Sequence, residues 1–348
     1  MANESNVAAL LTGQNEPLVV QGVAYPSVGE DELVVRNHAI AVNPVDYAMQ
    51  MLGTTLFSWL QYPYILGEDV AGEVVEVGSA VTGFKVGDRV VGHAVLGSDT
   101  STGGAFQRYS RLLSNMVSSI PDSLAYEDAA VIPLGLSTAA SGLFQKDYLG
   151  LQYPSISPQP TGKTLLIWGG STSVGSNAIQ LAVAAGYDVI TTASPRNFEY
   201  VKGLGATQAF DYQSPTIGAD LLEAFKGKRC AGGLAIAGVV PQARTEAAEA
   251  CLEVIAKSEG DKFVALAMPL PPQLPDGVGA KFIFASGLKD SEVSHVIYGD
   301  YLPKALAAGK FTPAPKAEVV GQGFEAIQGA LDALKQGVSA KKLVVTLP

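Results

Sequence analysis

The residues Leu165-Leu-Ile-Trp168 run directly into Gly169-Gly-Ser-Thr-Ser-Val-Gly175, and helical spacing continues to Ala185. A buried strand that ends in a glycine-rich turn and then a helix is the context that a dinucleotide site requires. Strand-like and helical stretches alternate downstream, and the later strands include Leu234–Val240 and Lys281–Ala285. The alternation predicts βαβ units and a doubly wound parallel sheet of about six strands.

The glycine turn departs from the G-x-G-x-x-G template at one position. Gly170 and Gly175 take the first and third glycine positions, whereas Thr172 stands at the middle one, where glycine normally lets the backbone approach a pyrophosphate. Amides of Thr172–Val174 at the start of the helix can still bind phosphate. The hydroxyl groups of Ser171, Thr172 and Ser173 are further donors to a phosphate. The alternative is a Gly/Ser turn that joins the strand to the helix and binds no ligand.

The second strand of this region ends in Thr191-Thr-Ala-Ser-Pro-Arg196-Asn197, where a protein that selects the unphosphorylated cofactor places Asp or Glu. Here Ser194 and Arg196 stand instead of an acid. A guanidinium and a short hydroxyl donor suit a 2′-phosphate, which predicts NADPH as the cofactor. In the alternative, Arg196 only solvates a helix N-terminus, although a cation is unfavourable at that end of the helix dipole.

The N-terminal part of the chain has a different sequence pattern. From residue 7 to about 130, short Val-rich segments such as Gly72–Val77 alternate with Gly and Pro, which is typical of a β-barrel or sandwich. A strand at Lys342–Leu347, isolated at the end of the chain, most simply pairs back into this part. Since 348 residues favour two domains, we predict one from residues 1–130 and 310–348 and another from 131–309.

Composition excludes several classes of protein. A net charge of −10 leaves no basic surface for nucleic acid or anionic lipid. The two cysteines, Cys230 and Cys251, are too few for a disulfide framework and suit a reducing compartment. The sequence contains no basic region followed by an apolar stretch at its start and no apolar run long enough for a bilayer. These features predict a soluble, cytoplasmic protein that has neither nucleic acid nor a membrane as its partner.

Several segments, in order and spacing, resemble the medium-chain dehydrogenase/reductase superfamily across nearly the whole chain. Within it, Gly-Gly-Ser-Thr at 169–172, Ala-Ser-Pro-Arg-Asn-Phe at 193–198 and Phe-Asp-Tyr at 210–212 resemble the fungal branch of quinone-oxidoreductase-like proteins and trans-acting enoyl reductases. The segments that carry the superfamily resemblance are Ala41-Val-Asn-Pro-Val-Asp46, Leu66-Gly-Glu-Asp-Val-Ala-Gly-Glu-Val-Val-Glu-Val-Gly78, Phe84-Lys-Val-Gly-Asp-Arg-Val90 and Gly103-Gly-Ala-Phe-Gln-Arg-Tyr109.

The resemblance implies an α/β fold class, in which a GroES-like β domain packs on a Rossmann doubly wound parallel sheet with the active site in the cleft. Zinc-dependent members carry Gly-His-Glu where this chain has Gly67-Glu68-Asp69, and neither cysteine lies in the β domain. Catalytic zinc needs about three protein ligands, so we expect no metal; a carboxylate site at Asp46, Glu68 and Asp69 is the formal alternative. Conjugate reduction needs no Lewis acid, because hydrogen bonds can stabilise an enolate.

The resemblance also implies site residues in the β domain. Val45, Asp46, Tyr47 and Ala48 correspond to the segment that approaches the nicotinamide, and Ala48 stands where enoyl reductases often have lysine. Asp46 is alternatively a cap residue, and Tyr47 a core residue. Lys342 corresponds to a residue that contacts the cofactor, with a lone exposed lysine as the alternative.

In the nucleotide domain, Ser137 and Thr138 correspond to residues that reach the nicotinamide or substrate, or else serve helix packing. Tyr212 corresponds to a position near the adenosine, or else packs at a strand end. Because ligands bind at the carboxyl ends of parallel strands, we expect further cofactor contacts there, alongside Asn197. The residues concerned are Gly238, Leu266, Met268 and Phe284.

Apolar residues ahead of Gly67 either line a pocket for a bulky substrate or form core. The leading interpretation is an NADPH-dependent reductase of quinones, enones or enoyl thioesters. The alternatives are a trans-acting enoyl reductase that docks to a polyketide synthase, and a catalytically weak NADPH-binding protein; an oligomer is possible. The apolar residues are Leu52, Leu56, Phe57, Trp59, Leu60, Tyr62 and Tyr64.

Overall fold

A computed structural model describes residues 5–97, 102–237 and 241–348, including all side chains of these ranges except those of 241–244. The chain folds into two compact units. The first contains the residues up to Leu134 together with Tyr298–Gly309 and Lys316–Pro348, and the second contains Gly135–Ile297 and Lys310–Pro315. Compared with the predicted ranges, residues 131–134 and 298–309 therefore lie in the first unit and 310–315 in the second.

The described residues of the first unit form these strands: β1 (Asn6–Leu11), β2 (Val19–Val23), β3 (Glu32–Ala41), β4 (Tyr64–Ile65), β5 (Asp69–Val77), β6 (Arg89–His93), β7 (Tyr109–Leu113), β8 (Val117–Ser119), β15 (Lys316–Gln322) and β16 (Lys341–Thr346). One sheet has the order β2-β1-β4, and a seven-stranded sheet has the order β15-β16-β3-β5-β6-β8 with β7 paired to β3. Strand β16 runs antiparallel to β3, with Val344 opposite Ala41. The prediction that the last strand returns to this unit is confirmed.

In the second unit, the described residues form a sheet of six parallel strands: β9 (Lys163–Trp168), β10 (Asp188–Ala193), β11 (Gln208–Asp211), β12 (Arg229–Ala235), β13 (Phe263–Leu266) and β14 (Gly279–Phe282). Their order is β11-β10-β9-β12-β13-β14. The order reverses between β9 and β12, which is where such sheets bind ligands. The predicted α/β fold class with a doubly wound parallel sheet is confirmed.

Two strands of this sheet differ from their predicted bounds. The strand predicted at Leu234–Val240 is β12, which begins at Arg229 because Gly232 and Gly233 let it bulge against β9 rather than end it. Residues 238–240 lie outside the described ranges. The strand predicted at Lys281–Ala285 is β14, which ends at Phe282.

The helices are α1 (Pro44–Leu56), α2 (Tyr126–Ala129), α3 (Pro133–Phe144), α4 (Ser173–Ala184), α5 (Phe198–Gly203), α6 (Ile217–Phe225), α7 (Pro241–Lys257), α8 (Glu292–Ser294), α9 (Leu302–Ala307) and α10 (Ala326–Lys335). Short 3₁₀ turns occupy Ser114–Met116, Pro195–Asn197 and Ala285–Asp290, and a π-helical stretch occupies His295–Tyr301. Across the described ranges, none of the helices combines the length and apolar character needed to cross a membrane.

Helix α1 was not predicted, since the segment ahead of Gly67 was interpreted as a loop. It begins with a capping box, in which the Asn43 side chain and the Asp46 carboxylate satisfy each other's backbone N–H groups, and Pro44 stands in its first turn. The helix is interrupted at Gly53, whose φ of +43° favours glycine. A Cβ there would lie 2.2 Å from the Tyr62 hydroxyl oxygen.

The apolar residues ahead of Gly67 are divided by this helix. Leu52 and Leu56 lie on exposed positions of α1, whereas Leu60 and Tyr64 belong to the buried core of the first unit. The Trp59 ring meets the Tyr64 ring edge-on, with centroids 5.7 Å apart. The seven residues therefore do not form one loop cluster, because the two exposed leucines lie apart from the others, which belong to or pack against the core.

Candidate active site

The glycine turn that follows β9 has no room for side chains. A Cβ at Gly169, which has a φ of +84°, would lie 2.1 Å from the carbonyl oxygen of Ile236. A Cβ at Gly170 would lie 2.2 Å from Oγ1 of Thr191, and one at Gly175 would lie 2.2 Å from the carbonyl oxygen of Gly169. The turn is therefore held tightly between β10, β12 and the start of α4.

Thr172, the residue at the middle position of the template, is the N-cap of α4. Its hydroxyl accepts a hydrogen bond from the Gly175 N–H at 3.0 Å and donates one to the Gly169 carbonyl at 2.8 Å. The N–H groups of Ser173 and Val174 precede the intrahelical hydrogen bonds of α4, so they are the ones left for an anion. This arrangement of two available N–H groups at a helix start fits an anionic group such as a dinucleotide phosphate.

The serines of the turn are placed differently from one another. Ser171 is half-buried, whereas the Ser173 hydroxyl is buried and has no hydrogen-bond partner among the described residues. A Cβ at Gly135 on α3 would lie 2.5 Å from that hydroxyl. Ser173 therefore packs against α3 through the side chain that was predicted to bind phosphate.

Ser194, Arg196 and Tyr212 lie just after the carboxyl ends of β10 and β11. Ser194 Oγ donates to the Tyr212 hydroxyl at 3.4 Å. The Arg196 side chain is exposed and has no hydrogen-bond or ion-pair partner within the described part of the chain, and Tyr212 is 42% exposed. Asn197 is buried at the N-cap of α5. Within the described residues, Arg196 is therefore a cation without a partner, two positions along the chain from Ser194.

The residues predicted at the later strand ends do not form one group. Leu266 and Met268 are 0% and 1% exposed and belong to the core, because β13 is an inner strand of the sheet. Their side chains therefore face the core, and a contact of these two residues with the cofactor stays a prediction. Phe284 is 64% exposed after the edge strand β14, and Gly238 lies outside the described residues.

In the first unit, a buried network connects Asn43, Asp69 and Lys342. Lys342 Nζ lies 2.8 Å from an Asp69 carboxylate oxygen and also donates to the Asn43 side-chain oxygen. The Asn43 amide donates to Asp69 at 2.8 Å. Asp69 also accepts a 2.7 Å hydrogen bond from the Leu134 N–H, at the start of α3. The alternative that Lys342 is a lone exposed lysine is wrong, since it is 5% exposed and ion-paired; its contact with the cofactor stays a prediction.

The Asp46 carboxylate is fully enclosed. It accepts hydrogen bonds from the backbone N–H groups of Asn43 at 2.7 Å and Gly67 at 3.1 Å. Burial raises the pKa of Asp46 well above its ordinary value, and the nearby Glu68 adds to the increase. These contacts are those of the cap residue that was the alternative interpretation, and a role on the cofactor or substrate stays a prediction.

Glu68 lies between this network and His93. One of its carboxylate oxygens is 3.7 Å from His93 Nε2, and the other is buried with no hydrogen-bond partner among the described residues. Although Asp46, Glu68, Asp69 and His93 lie close in the chain's fold, no group of three or more His, Cys, Asp or Glu side chains in the described ranges is arranged to hold a metal ion.

The other predicted catalytic positions lie on two helices. Val45 and Tyr47 are on α1, with Tyr47 only 8% exposed. Ser137 and Thr138 are on α3, fully buried and 9% exposed respectively. The sequence did not single out Asn43, which connects α1 to the buried network. The three-residue spacing of Asn43 and Asp46 is the sequence pattern of a capping box, and it could have predicted this helix start.

The two units together define a class of protein. Residues 29–122 match the alcohol dehydrogenase GroES-like domain, and the remaining sheet has the strand order and glycine turn of a dinucleotide-binding domain. This combination defines a two-domain oxidoreductase that uses a nicotinamide cofactor.

Curated relatives give the family. The dehydrogenase orf1 of Aspergillus niger is 68% identical over 345 residues, which span 99% of either chain. The trans-enoyl reductase himH of Aspergillus japonicus is 41% identical over 319 residues, 91% of this chain and 90% of the relative. The chain therefore belongs to the medium-chain dehydrogenase/reductase superfamily, among its fungal dehydrogenases and trans-enoyl reductases.

Solved structures share the fold. A mycobacterial protein, crystallised in complex with NADPH, has a TM-score of 0.72 and 22% sequence identity, and the match covers 98% of this chain and all of that one. At this identity the likeness concerns the fold, which agrees with the GroES-like and Rossmann-type units described above.

Proposed function

We propose that this oxidoreductase uses NADPH to reduce activated C=C bonds of quinones, enones or enoyl thioesters, independently of zinc. The observation that carries the cofactor choice is the strand end at Ser194 and Arg196, where these residues replace the acid of NAD-selecting proteins. The Arg196 guanidinium is exposed and has no partner among the described residues, and Ser194 Oγ bonds to the Tyr212 hydroxyl. A structural neighbour solved with NADPH supports the same cofactor. The enoyl reductase relatives support the reaction.

In this proposal, different residues of the chain bind the two anionic groups of the cofactor. The α4 N-terminus holds the pyrophosphate, and Arg196 with Ser194 holds the 2′-phosphate. The bound cofactor supplies a hydride to the β-carbon of the substrate. Glu68 stands at the position of the zinc-binding histidine in zinc-dependent members, which supports a reaction without the metal.

Enolate charge needs hydrogen-bond donors in the active site. Ala48 offers no ammonium group, so the proposed donors are the hydroxyl groups of Tyr47, Ser137 and Thr138, a backbone amide and water. Each of these is a weak acid. The proposal is therefore a distributed set of donors, in which no single side chain is indispensable.

The test of this function is NADPH consumption by the purified protein. Quinones, enones and enoyl thioesters should each be supplied with NADPH, and alcohols with NADP⁺ as the opposing class. Turnover of the first three classes, retained after dialysis against a chelator, is the expected result. Oxidation of alcohols with loss of activity on chelation would contradict the proposal, and so would NADPH binding without turnover.

Removing the Arg196 charge should change the cofactor preference. Since a hydrogen bond to a charged group contributes about 1.5–3 kcal/mol, we expect Arg196→Ala to weaken NADPH binding about tenfold or more. NADH binding should be nearly unchanged, because NADH has no 2′-phosphate. Calorimetric titration with both cofactors measures this.

The control for that variant is Lys202→Ala, which removes an exposed cation that pairs with Glu199 on the same helix, α5. It should leave both affinities as they are. An equal loss of NADH and NADPH affinity in Arg196→Ala would show that Arg196 maintains the fold rather than reads the phosphate.

Deleting one hydroxyl donor should slow the reaction without stopping it. Tyr47→Phe and Thr138→Val are each expected to lower kcat by about tenfold to a hundredfold, the loss of one positioned donor. The decrease in kcat should be smaller with quinones than with simple enones, because the reduced form of a quinone is a stable phenolate. Steady-state kinetics on both substrates measures this, with Tyr25→Phe as the control, since the Tyr25 hydroxyl bonds to Glu76 at the edge of the first unit. Complete loss of turnover on every substrate, with NADPH still bound, would reveal a dedicated acid.

A second candidate function has its own support. Because the chain resembles a protein named a trans-enoyl reductase, we propose a polyketide synthase as the partner that presents an enoyl thioester, and the cytoplasm as the place of reaction. Co-purification of the protein with the synthase, and faster reduction of synthase-bound than of free thioester, would support this version. Equal rates on both substrates would favour the free small molecule.

A further inference from the structure

Tyr200 connects the segment that carries Arg196 to the glycine turn. Its hydroxyl lies 2.8 Å from Oγ of Ser176, a fully buried residue in the first turns of α4. Ser176 Oγ in turn donates to the carbonyl oxygen of Gly170 at 3.3 Å. Because a serine hydroxyl has a single proton, Tyr200 is the donor in the first of these bonds. The result is an uninterrupted chain of hydrogen bonds from α5 to the turn.

The same turn is attached to the other side of the Arg196 segment through Thr192, at the end of β10. The Gly169 N–H donates to the Thr192 hydroxyl at 3.0 Å, and the Gly170 N–H donates to the Thr192 carbonyl at 2.9 Å. Thr192 lies four residues before Arg196, and Tyr200 lies four residues after it. The segment is therefore tied to the turn at both of its ends.

These ties have a consequence for a ligand with two anionic groups. A pyrophosphate at the turn and a 2′-phosphate at Arg196 are joined covalently, so both can bind at full strength only if the two sites are at a fixed separation. Thr192 alone would leave the far end of the segment to move. Burial raises the pKa of Tyr200 to about 12, so the second tie persists across ordinary assay conditions.

We propose that Tyr200, acting through Ser176, is a positioning residue for cofactor specificity: it holds Arg196 at the distance from the glycine turn that a dinucleotide bearing a 2′-phosphate requires. The inference rests on the proposed use of NADPH and extends it to a residue that touches neither phosphate. It predicts that Tyr200 matters for ligands that occupy both sites and not for ligands that occupy one.

The experiment compares three ligands on the full chain. NADPH occupies both sites, NADH lacks the 2′-phosphate, and adenosine 2′-monophosphate lacks the pyrophosphate. Loss of one neutral hydrogen bond is expected to weaken NADPH binding about threefold to tenfold in Tyr200→Phe. NADH and adenosine 2′-monophosphate should bind the variant as they bind the wild type. Calorimetry measures the two dinucleotides, and competition with NADPH measures the monophosphate.

Ser176→Ala removes the same hydrogen bond from its other end and serves if Tyr200→Phe folds poorly. The double variant should be no weaker toward NADPH than the weaker single one, because both changes break one chain. Tyr187→Phe is the matched control: among the described residues, the Tyr187 hydroxyl has one hydrogen bond, accepted from the Gln152 N–H at 3.3 Å, just before β10. It should leave all three affinities unchanged.

The outcomes separate the two proposals. Equal affinity of the wild type for NADPH and NADH would overturn the assignment of NADPH and the role of Tyr200 with it. A wild-type preference for NADPH that survives both Tyr200→Phe and Ser176→Ala would overturn the role of Tyr200 alone. Weakened binding of NADH or of the monophosphate, in step with NADPH, would show that Tyr200 only stabilises the unit.

Discussion

We expect Lys342→Met to lower the free energy of unfolding by about 3–5 kcal/mol, the cost of removing one partner from a buried ion pair. The lysine is 5% exposed and its partner Asp69 is fully buried. Without the ammonium group, the Asp69 carboxylate keeps its hydrogen bonds from Asn43 and Leu134 but loses its countercharge in a place that water does not reach. Urea unfolding followed by circular dichroism measures the change.

The adjacent residue provides the control. Lys341 pairs with Glu318 on β15, but both side chains are about half exposed, and exposed pairs contribute at most about 1 kcal/mol. Lys341→Met should therefore change the unfolding free energy little. Adding Asp69→Asn to Lys342→Met should recover part of the loss, because no buried charge then lacks a partner. If Lys342→Met were as stable as Lys341→Met, the claim that the buried Lys342–Asp69 ion pair stabilises the fold would be wrong.

The same variant has a consequence along α3. Asp69 accepts a hydrogen bond from the Leu134 N–H in the first turn of that helix, and the Tyr298 hydroxyl donates to the Pro133 carbonyl at 3.0 Å. Ser137 and Thr138 follow one turn later on the same helix. We therefore expect that any activity left in Lys342→Met is lowered through kcat more than through the KM for NADPH.

Gly175→Ala is the change with the largest expected effect on cofactor binding. The added methyl group would lie 2.2 Å from the Gly169 carbonyl oxygen and 2.7 Å from the Gly170 Cα, and both neighbours are backbone. Since the backbone has to move, the start of α4 shifts away from β9, and an overpacked site costs about 1–3 kcal/mol of stability. We expect affinity for NADPH to fall at least about a hundredfold, because the amides that we propose as the pyrophosphate ligands move with the turn.

The matched control is Gly218→Ala in the first turn of α6, where a Cβ meets nothing within 4 Å. Alanine is the better helix former, so this variant should be as stable as the wild type or slightly more stable. NADPH titration and thermal unfolding of the two variants give the comparison. Wild-type affinity in Gly175→Ala would mean that the turn does not hold the pyrophosphate.

Gly175→Ala should impair NADH and NADPH binding alike. Both cofactors carry the pyrophosphate, whereas only one carries the 2′-phosphate. The pattern therefore differs from that of Arg196→Ala and Tyr200→Phe, which should act on NADPH alone. Together the variants separate the two anionic subsites.

Much of the second unit follows from local patterns. The apolar run at Leu165–Trp168 and the helix after Gly175 each occupy consecutive residues, so periodicity and turn chemistry suffice to predict them. The bounds of β12 were less predictable, because the glycines at 232 and 233 look like a break and are accommodated by a bulge. Helix α1 was missed because its apolar and polar residues do not repeat clearly, and its capping box is the only strong local signal.

Sequence alone determined the fold class, the return of the last strand to the first unit and the glycine turn, since these depend on the order and spacing of neighbouring residues. Only the tertiary structure decided what Lys342, Leu266 and Tyr200 do. Lys342 meets Asn43 across 299 positions of sequence, and Leu266 is covered because its strand is an inner one. Tyr200 meets Ser176 across 24 positions through the packing of two helices. Contacts between distant residues depend on how elements pack, and no local pattern records that packing.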